Sequence, residues 1–143
     1  MQSISVFNAN RRYRLSKREI ERYVSRVLGR RSALISVVFV DSLRCKAING
    51  KFLRHDVVTD VISFTLEEQP MLEGEIYVNL DRAMQQAKEY GVSFANEVAR
   101  LVIHGMLHLT GHEDKSKEQK KRMRDAEDMQ LAYWFSDNRK GKN

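Results

Sequence analysis

The segment from Ser93 to Asp114 constrains this chain more than any other. Phe94, Val98, Leu101, Val102, Leu107 and Leu109 recur at the helical period, the pattern of a helix that must bury one side. Ser93 supplies an N-cap and Gly111 a stop, which predicts a helix over residues 94–110. His104 and His108 stand one turn apart on it, so both imidazoles face the same way. A histidine in an apolar wall needs a partner to offset its desolvation. Gly105 between them costs about 1 kcal/mol against alanine inside a helix, so a close neighbour must need the space it leaves. Past the helix, a left-handed Gly111 turns the chain back and can return Asp114 to the imidazoles. Two imidazoles and a carboxylate make a divalent-metal set with an open position for water, which marks catalytic rather than structural centres. His112 is the alternative third ligand.

The rest of the chain sets the context. Its 143 residues suit a single domain over residues 1–143. No apolar run approaches the length of a membrane span, and the N-terminus reads as an amphipathic strand rather than a signal peptide. Cys45 is the only cysteine, so no internal disulfide forms; the expected compartment is the reducing cytoplasm, and Cys45 is expected to be a small buried hydrophobe. The net charge of +6 favours an anionic partner, with nucleic acid first. Arginines dominate the cluster Arg11, Arg12, Arg14, Lys17, Arg18, Arg22, Arg26, Arg30 and Arg31, where the guanidinium fork matches phosphate oxygens. Lys115, Lys117, Lys120, Lys121, Arg122 and Arg124 form a second cluster.

Alternation predicts a strand over residues 2–7. Ser16 with Glu19 reads as a capping box opening a helix that faces inward through Ile20, Tyr23, Val24, Val27 and Leu28 and ends at Gly29. Residues 33–40 are β-branched and read as a central strand, and Asp41 caps a helix running to about Leu53. Further strands are expected at 61–65 and 74–78. Asn79 or Asp81 caps a helix that stops at Gly91. A last helix over 116–135 is expected to turn Met123, Ala126, Met129, Ala132 and Tyr133 inward, with a frayed tail beyond it. The fold class that results is α+β: one small mixed sheet of about four strands packed with about five helices.

The loop before the third strand is rich in hydrogen-bonding groups: Asn49, Arg54, Asp56, Thr59, Asp60 and Ser63. The blocks Asn49-Gly50-Lys51-Phe52-Leu53-Arg54-His55-Asp56-Val57-Val58-Thr59-Asp60-Val61-Ile62-Ser63-Phe64, then Gly74-Glu75-Ile76, then His104-Gly105-x-Leu107-His108-Leu109-x-Gly111 resemble, in order and spacing, the YbeY family of metal-dependent endoribonucleases, also called rRNA maturation factors. The resemblance implies a single-domain α+β fold with a zinc ion in a cleft. It further implies rRNA processing, 16S 3′-end maturation and ribosome quality control, with single-stranded RNA, 16S rRNA and the small ribosomal subunit and its proteins as partners. The family's essential arginine falls on Arg54 and its first two ligands on His104 and His108. Arg54, Asp56 and Ser63 are the expected substrate-binding residues.

One position departs from the family pattern. The common third ligand is a histidine, and here that place holds Asp114. Asp114 keeps the backbone reach of the family, whereas His112 keeps the element but shortens the return. An anionic ligand lowers the ion's net charge and shifts preference toward harder ions such as manganese; zinc stays the first expectation, with manganese or nickel as alternatives. The expected chemistry is phosphodiester hydrolysis, with Arg54 on the scissile phosphate and either water or the RNA 2′-hydroxyl as nucleophile. Glu75 and Asp56 are the candidate assisting carboxylates. A zinc metalloprotease is one rival reading, but its general-base glutamate would occupy the place of Gly105. The other rival is a non-catalytic RNA-binding assembly factor with a structural metal.

Overall fold

Strand β1 (Gln2–Asn8) leads through helix α1 (Lys17–Leu28) to strand β2 (Ala33–Val40). Helix α2 (Ser42–Ile48) follows and runs into a π-helical turn over Asn49–Leu53. Then come strands β3 (Val61–Glu67) and β4 (Leu72–Asn79), and helices α3 (Leu80–Tyr90), α4 (Phe94–Leu109) and α5 (Lys117–Lys142). The computed structural model describes the backbone of residues 1–8, 10, 12–53 and 59–142, and their side chains except at 52, 53 and 136–142. Arg54, His55 and Asp56 lie outside the described residues.

The strands form one open mixed sheet in the order β1-β2-β4-β3. β1 pairs with β2 in parallel, as does β2 with β4, and β3 closes antiparallel on β4. Alternation gives the sheet two different faces. Ile35, Val37, Phe39, Ile76 and Val78 point to the side of α1 and α4 and form the main core with Val24, Val98, Val102, Ile103 and Met106. Each such side chain contributes about 1.5–3 kcal/mol of burial. The opposite face holds a smaller cluster, Val40, Cys45 and Ile62, which Val38, Ile48, Phe64 and Tyr77 flank. Cys45 is fully buried and donates to the Thr59 carbonyl at 3.3 Å, as a structural thiol does.

Local signals set the boundaries. The Ser16 hydroxyl accepts from the Glu19 N–H, and the Asp41 carboxylate from that of Arg44. Asn79, not Asp81, caps α3: its side-chain oxygen takes the Arg82 N–H, while Asp81 accepts from Tyr13 and from the Ser42 N–H. Gly91 ends α3 in the left-handed region. The expected inward face of α5 needs correction. Met123 is buried as expected, but Met129 and Tyr133 are exposed, and Glu127 and Leu131 are buried in their place. Glu127 turns inward because its cationic and imidazole partners lie on α4, and this rotates the helix. α5 also continues past a kink at Phe135 as far as Lys142, where the sequence suggests a frayed tail.

Candidate metal centre

Helix α4 is the platform. It packs on β3, β4, α1, α3 and α5. Its close approach to the sheet falls at Gly105, where an added Cβ would lie 2.9 Å from Ile76 Cγ2 and 3.0 Å from Ser63 Oγ. The Ser63 hydroxyl instead donates to the Gly105 carbonyl at 3.3 Å. Since even a methyl group lacks room there, the glutamate of a peptidase has no place, and the protease reading falls on packing as well as on sequence.

The link from α4 to α5 is fixed at both ends. Gly111, at φ 108, completes a Schellman turn: its N–H reaches the His108 carbonyl at 3.1 Å and the His112 N–H reaches that of Leu107 at 2.9 Å. At the other end Ser116 accepts from the Gln119 N–H, while the Gln119 side chain accepts from the Ser116 and Lys115 N–H groups. Between these anchors Asp114 returns to the histidines. Its Oδ2 lies 3.4 Å from His108 Nε2 and 3.7 Å from His104 Nε2, and the two Nε2 atoms are 3.0 Å apart. The three donors thus lie within 4.8 Å of one another. His112 offers the site its carbonyl, not its ring, and its side chain is exposed.

The tautomers follow from the outer partners. His108 Nδ1 faces the His112 carbonyl at 3.1 Å, an acceptor only, so that nitrogen carries the proton. His104 Nδ1 faces the Glu127 carboxylate at 2.6 Å and donates to it. With both imidazoles neutral, the two Nε2 atoms direct lone pairs at the same point as a carboxylate oxygen. Such an arrangement calls for a cation, and the N,N,O donor set fits a divalent one. Solvent reaches it, since the side chains of His104, His108 and Asp114 are 24%, 30% and 40% exposed.

Glu127 is the site residue that sequence reasoning missed. It is 5% exposed and also takes the Arg100 guanidinium at 2.7 Å, which bridges on to Asp128 at 2.7 Å. Burial, the largest effect, pulls the His104 pKa down; the hydrogen bond and charge of Glu127, with the charges of Asp114 and Asp60, outweigh it and hold the group above its ordinary value. Its signal was present in the pattern Met123-x-x-x-Glu127-x-x-x-Leu131, which puts an acid in an apolar stripe. Glu75 does not assist: it points to the opposite face of the sheet and meets the Tyr77 hydroxyl at 3.3 Å. Thr59 and Asp60, the first described residues after Arg54, are pinned by Asn79: its side chain donates to the Thr59 carbonyl at 3.0 Å and its N–H to that of Asp60 at 2.8 Å.

Comparison with known proteins agrees with this architecture. The family described as Endoribonuclease YbeY matches residues 5–134. The Endoribonuclease YbeY of Carboxydothermus hydrogenoformans is 39% identical over 104 residues, covering 71% of this chain and 73% of that one. That of Chloroherpeton thalassium is 43% identical over 101 residues, covering 71% and 72%, and that of Bacteroides thetaiotaomicron 31% identical over 121 residues, covering 82% and 88%. The solution structure of TM1509 from Thermotoga maritima superposes with a TM-score of 0.60 at 27% identity, covering 94% of this chain and 93% of that one. A family match that begins in β1 and ends in α5 leaves one conclusion: the chain belongs to the endoribonuclease YbeY family.

Proposed function

We propose that this protein is a divalent-metal-dependent endoribonuclease that cuts single-stranded RNA in the cytoplasm. Its role in this reading is maturation of the 16S rRNA 3′ end and ribosome quality control, with the small ribosomal subunit and its proteins as partners. One observation carries the metal dependence: His104 and His108, each tied at Nδ1, aim two bare Nε2 atoms and the Asp114 carboxylate at one solvent-reachable point. Family membership supports RNA as the substrate, because the relatives are named endoribonucleases.

His104, His108 and Asp114 would hold the ion, zinc first by family resemblance, with manganese or nickel as the alternatives that the anionic third ligand admits. Bound there, a divalent ion supplies Lewis acidity toward a phosphodiester and its attacking oxygen. The protein's own residues orient the substrate. Arg54 would hold the scissile phosphate through its guanidinium fork and offset the charge that grows on its oxygens. Asp56 follows two residues on in the sequence, and Ser63 donates to the Gly105 carbonyl of the helix that carries both histidines. These three are the proposed substrate-binding set.

The test is turnover of a labelled single-stranded RNA by metal-loaded wild type, His108→Ala and Arg54→Ala. Cleavage by wild type alone is the expected result. If all three leave the RNA equally intact while still binding it, the chain is an RNA-binding assembly factor. Equal cleavage by all three exposes a contaminating ribonuclease and removes the support for this site.

A further inference from the structure

The α1–α5 face carries a second constellation, apart from the histidine–aspartate centre. Arg18, Arg22 and Arg26 recur every fourth residue, so they line one exposed side of α1 at about 6 Å per step along its axis. None of the three meets a carboxylate within ion-pairing distance among the described residues. Across from them stands Tyr133, 58% exposed despite its aromatic ring. The Arg26 guanidinium lies 3.6 Å from that ring's centroid, and Trp134 meets the same ring edge-on at 4.8 Å.

A groove runs between these groups. It consists of two hollows that share Arg22 and Ser25. One, of about 670 Å³, follows β1 past Arg18; the other, of about 450 Å³, ends on Arg26, Tyr133 and Trp134. Its floor is fixed by hydrogen bonds. The Ser25 hydroxyl donates to Gln2 Oε1 at 3.1 Å, and Gln2 Nε2 donates to the carbonyls of Gly29 and Arg31 at 2.8 and 3.0 Å. Among the described lining residues Glu21 is the one acid, against three arginines.

We propose that this groove anchors a segment of single-stranded RNA away from the cut site. Phosphates lie along Arg18 and Arg22, and a base stacks on the Arg26–Tyr133 platform. Unpaired guanidinium groups at regular spacing suit a phosphate backbone. An exposed aromatic in the same groove suits a strand whose base faces are free, which a duplex does not offer. Helix α5 joins the two sites: Glu127 touches His104, and Tyr133 lies six residues further on, about 9 Å along the axis and on another side of the helix. The inference rests on the RNA reading above and adds how a long strand is held.

The experiment uses the full chain and fluorescein-labelled, unstructured RNAs of about four and about sixteen nucleotides, the span of known single-strand grooves. Binding is read by anisotropy in EDTA and cleavage with metal restored. Arg18→Ala and Arg22→Ala should each weaken the long RNA several-fold and reduce the salt slope by about 0.7 for each phosphate no longer neutralised. Tyr133→Ala should weaken it about tenfold, and Tyr133→Phe should keep wild-type affinity. In cleavage, KM for the long RNA should rise with kcat unchanged, and the short RNA should respond to none of these changes. Wild-type binding of the long RNA by all variants overturns the groove, as does an equal loss on the short RNA or a wild type that binds neither. The groove falls alone if wild type cleaves and the variants match it. The nuclease reading falls alone if the variants lose binding but wild type never cleaves.

Discussion

Removing the Glu127 carboxylate tests the idea that the metal centre is built by α5 as much as by α4. In Glu127→Ala, His104 Nδ1–H loses an acceptor now at 2.6 Å, and Arg100 keeps its pair with Asp128. A hydrogen bond to a charged group contributes about 1.5–3 kcal/mol. Without it the imidazole is free to exchange tautomers and to swing away from the shared point. Loss of such an outer carboxylate weakens metal binding about 10- to 100-fold, or about 1.4–2.7 kcal/mol. Glu127→Gln retains an acceptor for Nδ1–H but no charge, so it should fall near the tenfold end. The assay is competition of metal-free protein against a chromophoric chelator, with Co²⁺ absorption as a probe of coordination geometry and circular dichroism to confirm folding. A folded Glu127→Ala protein that binds metal as tightly as wild type, with the same Co²⁺ spectrum, would refute the reasoning.

Three further changes probe neighbouring parts of the argument. Gly105→Ala gains about 1 kcal/mol of helix propensity but forces a Cβ against Ile76, whose β-branch is held by the sheet; overpacking of about 1–3 kcal/mol should leave the protein less stable by about 1 kcal/mol in urea, and a stabilised variant would contradict the close approach. Asp114→Ala should lose its metal in elemental analysis while His112→Ala keeps it, and the reverse result would make His112 the third ligand. Glu97 is buried, and desolvation raises its carboxyl pKa despite the Gln86 hydrogen bond and the Arg100 charge. The folded state therefore holds that proton more tightly than the unfolded one. This contribution is intact below the ordinary value of about 4.3 and declines as pH rises through the folded value. Glu97→Gln should gain stability over wild type progressively across that window, measured as the difference in urea midpoints of the metal-free proteins. A difference that stays constant with pH would rule the effect out.

Local chemistry was well written into the chain. Ser16 with Glu19, Asp41, Gly91 and Gly111 each specify a cap or a stop through their own backbone preferences, and the β-branched run at 33–40 specifies a buried strand without outside help. The histidine helix was legible for the same reason, since His104, His108 and Gly105 share one short segment. Less legible were the features that depend on distant partners. Met129 and Tyr133 fit an apolar stripe by spacing, yet the orientation of α5 is decided by the contact of Glu127 with His104, 23 residues away. The choice of Asn79 over Asp81 as cap likewise turned on Tyr13 and Ser42, which claim the Asp81 carboxylate.

Helix α4 touches both strands beneath it and three of the other helices, and it also holds two of the three donors. Occupancy of the centre and cohesion of the interior are thus two readings of one equilibrium. An ion that binds only the folded chain adds RT ln(1 + [M]/Kd) to stability, so melting temperature should climb with the logarithm of free metal. Under the metal-dependent function proposed above, scarcity of the ion would lower the lifetime of the polypeptide along with its turnover.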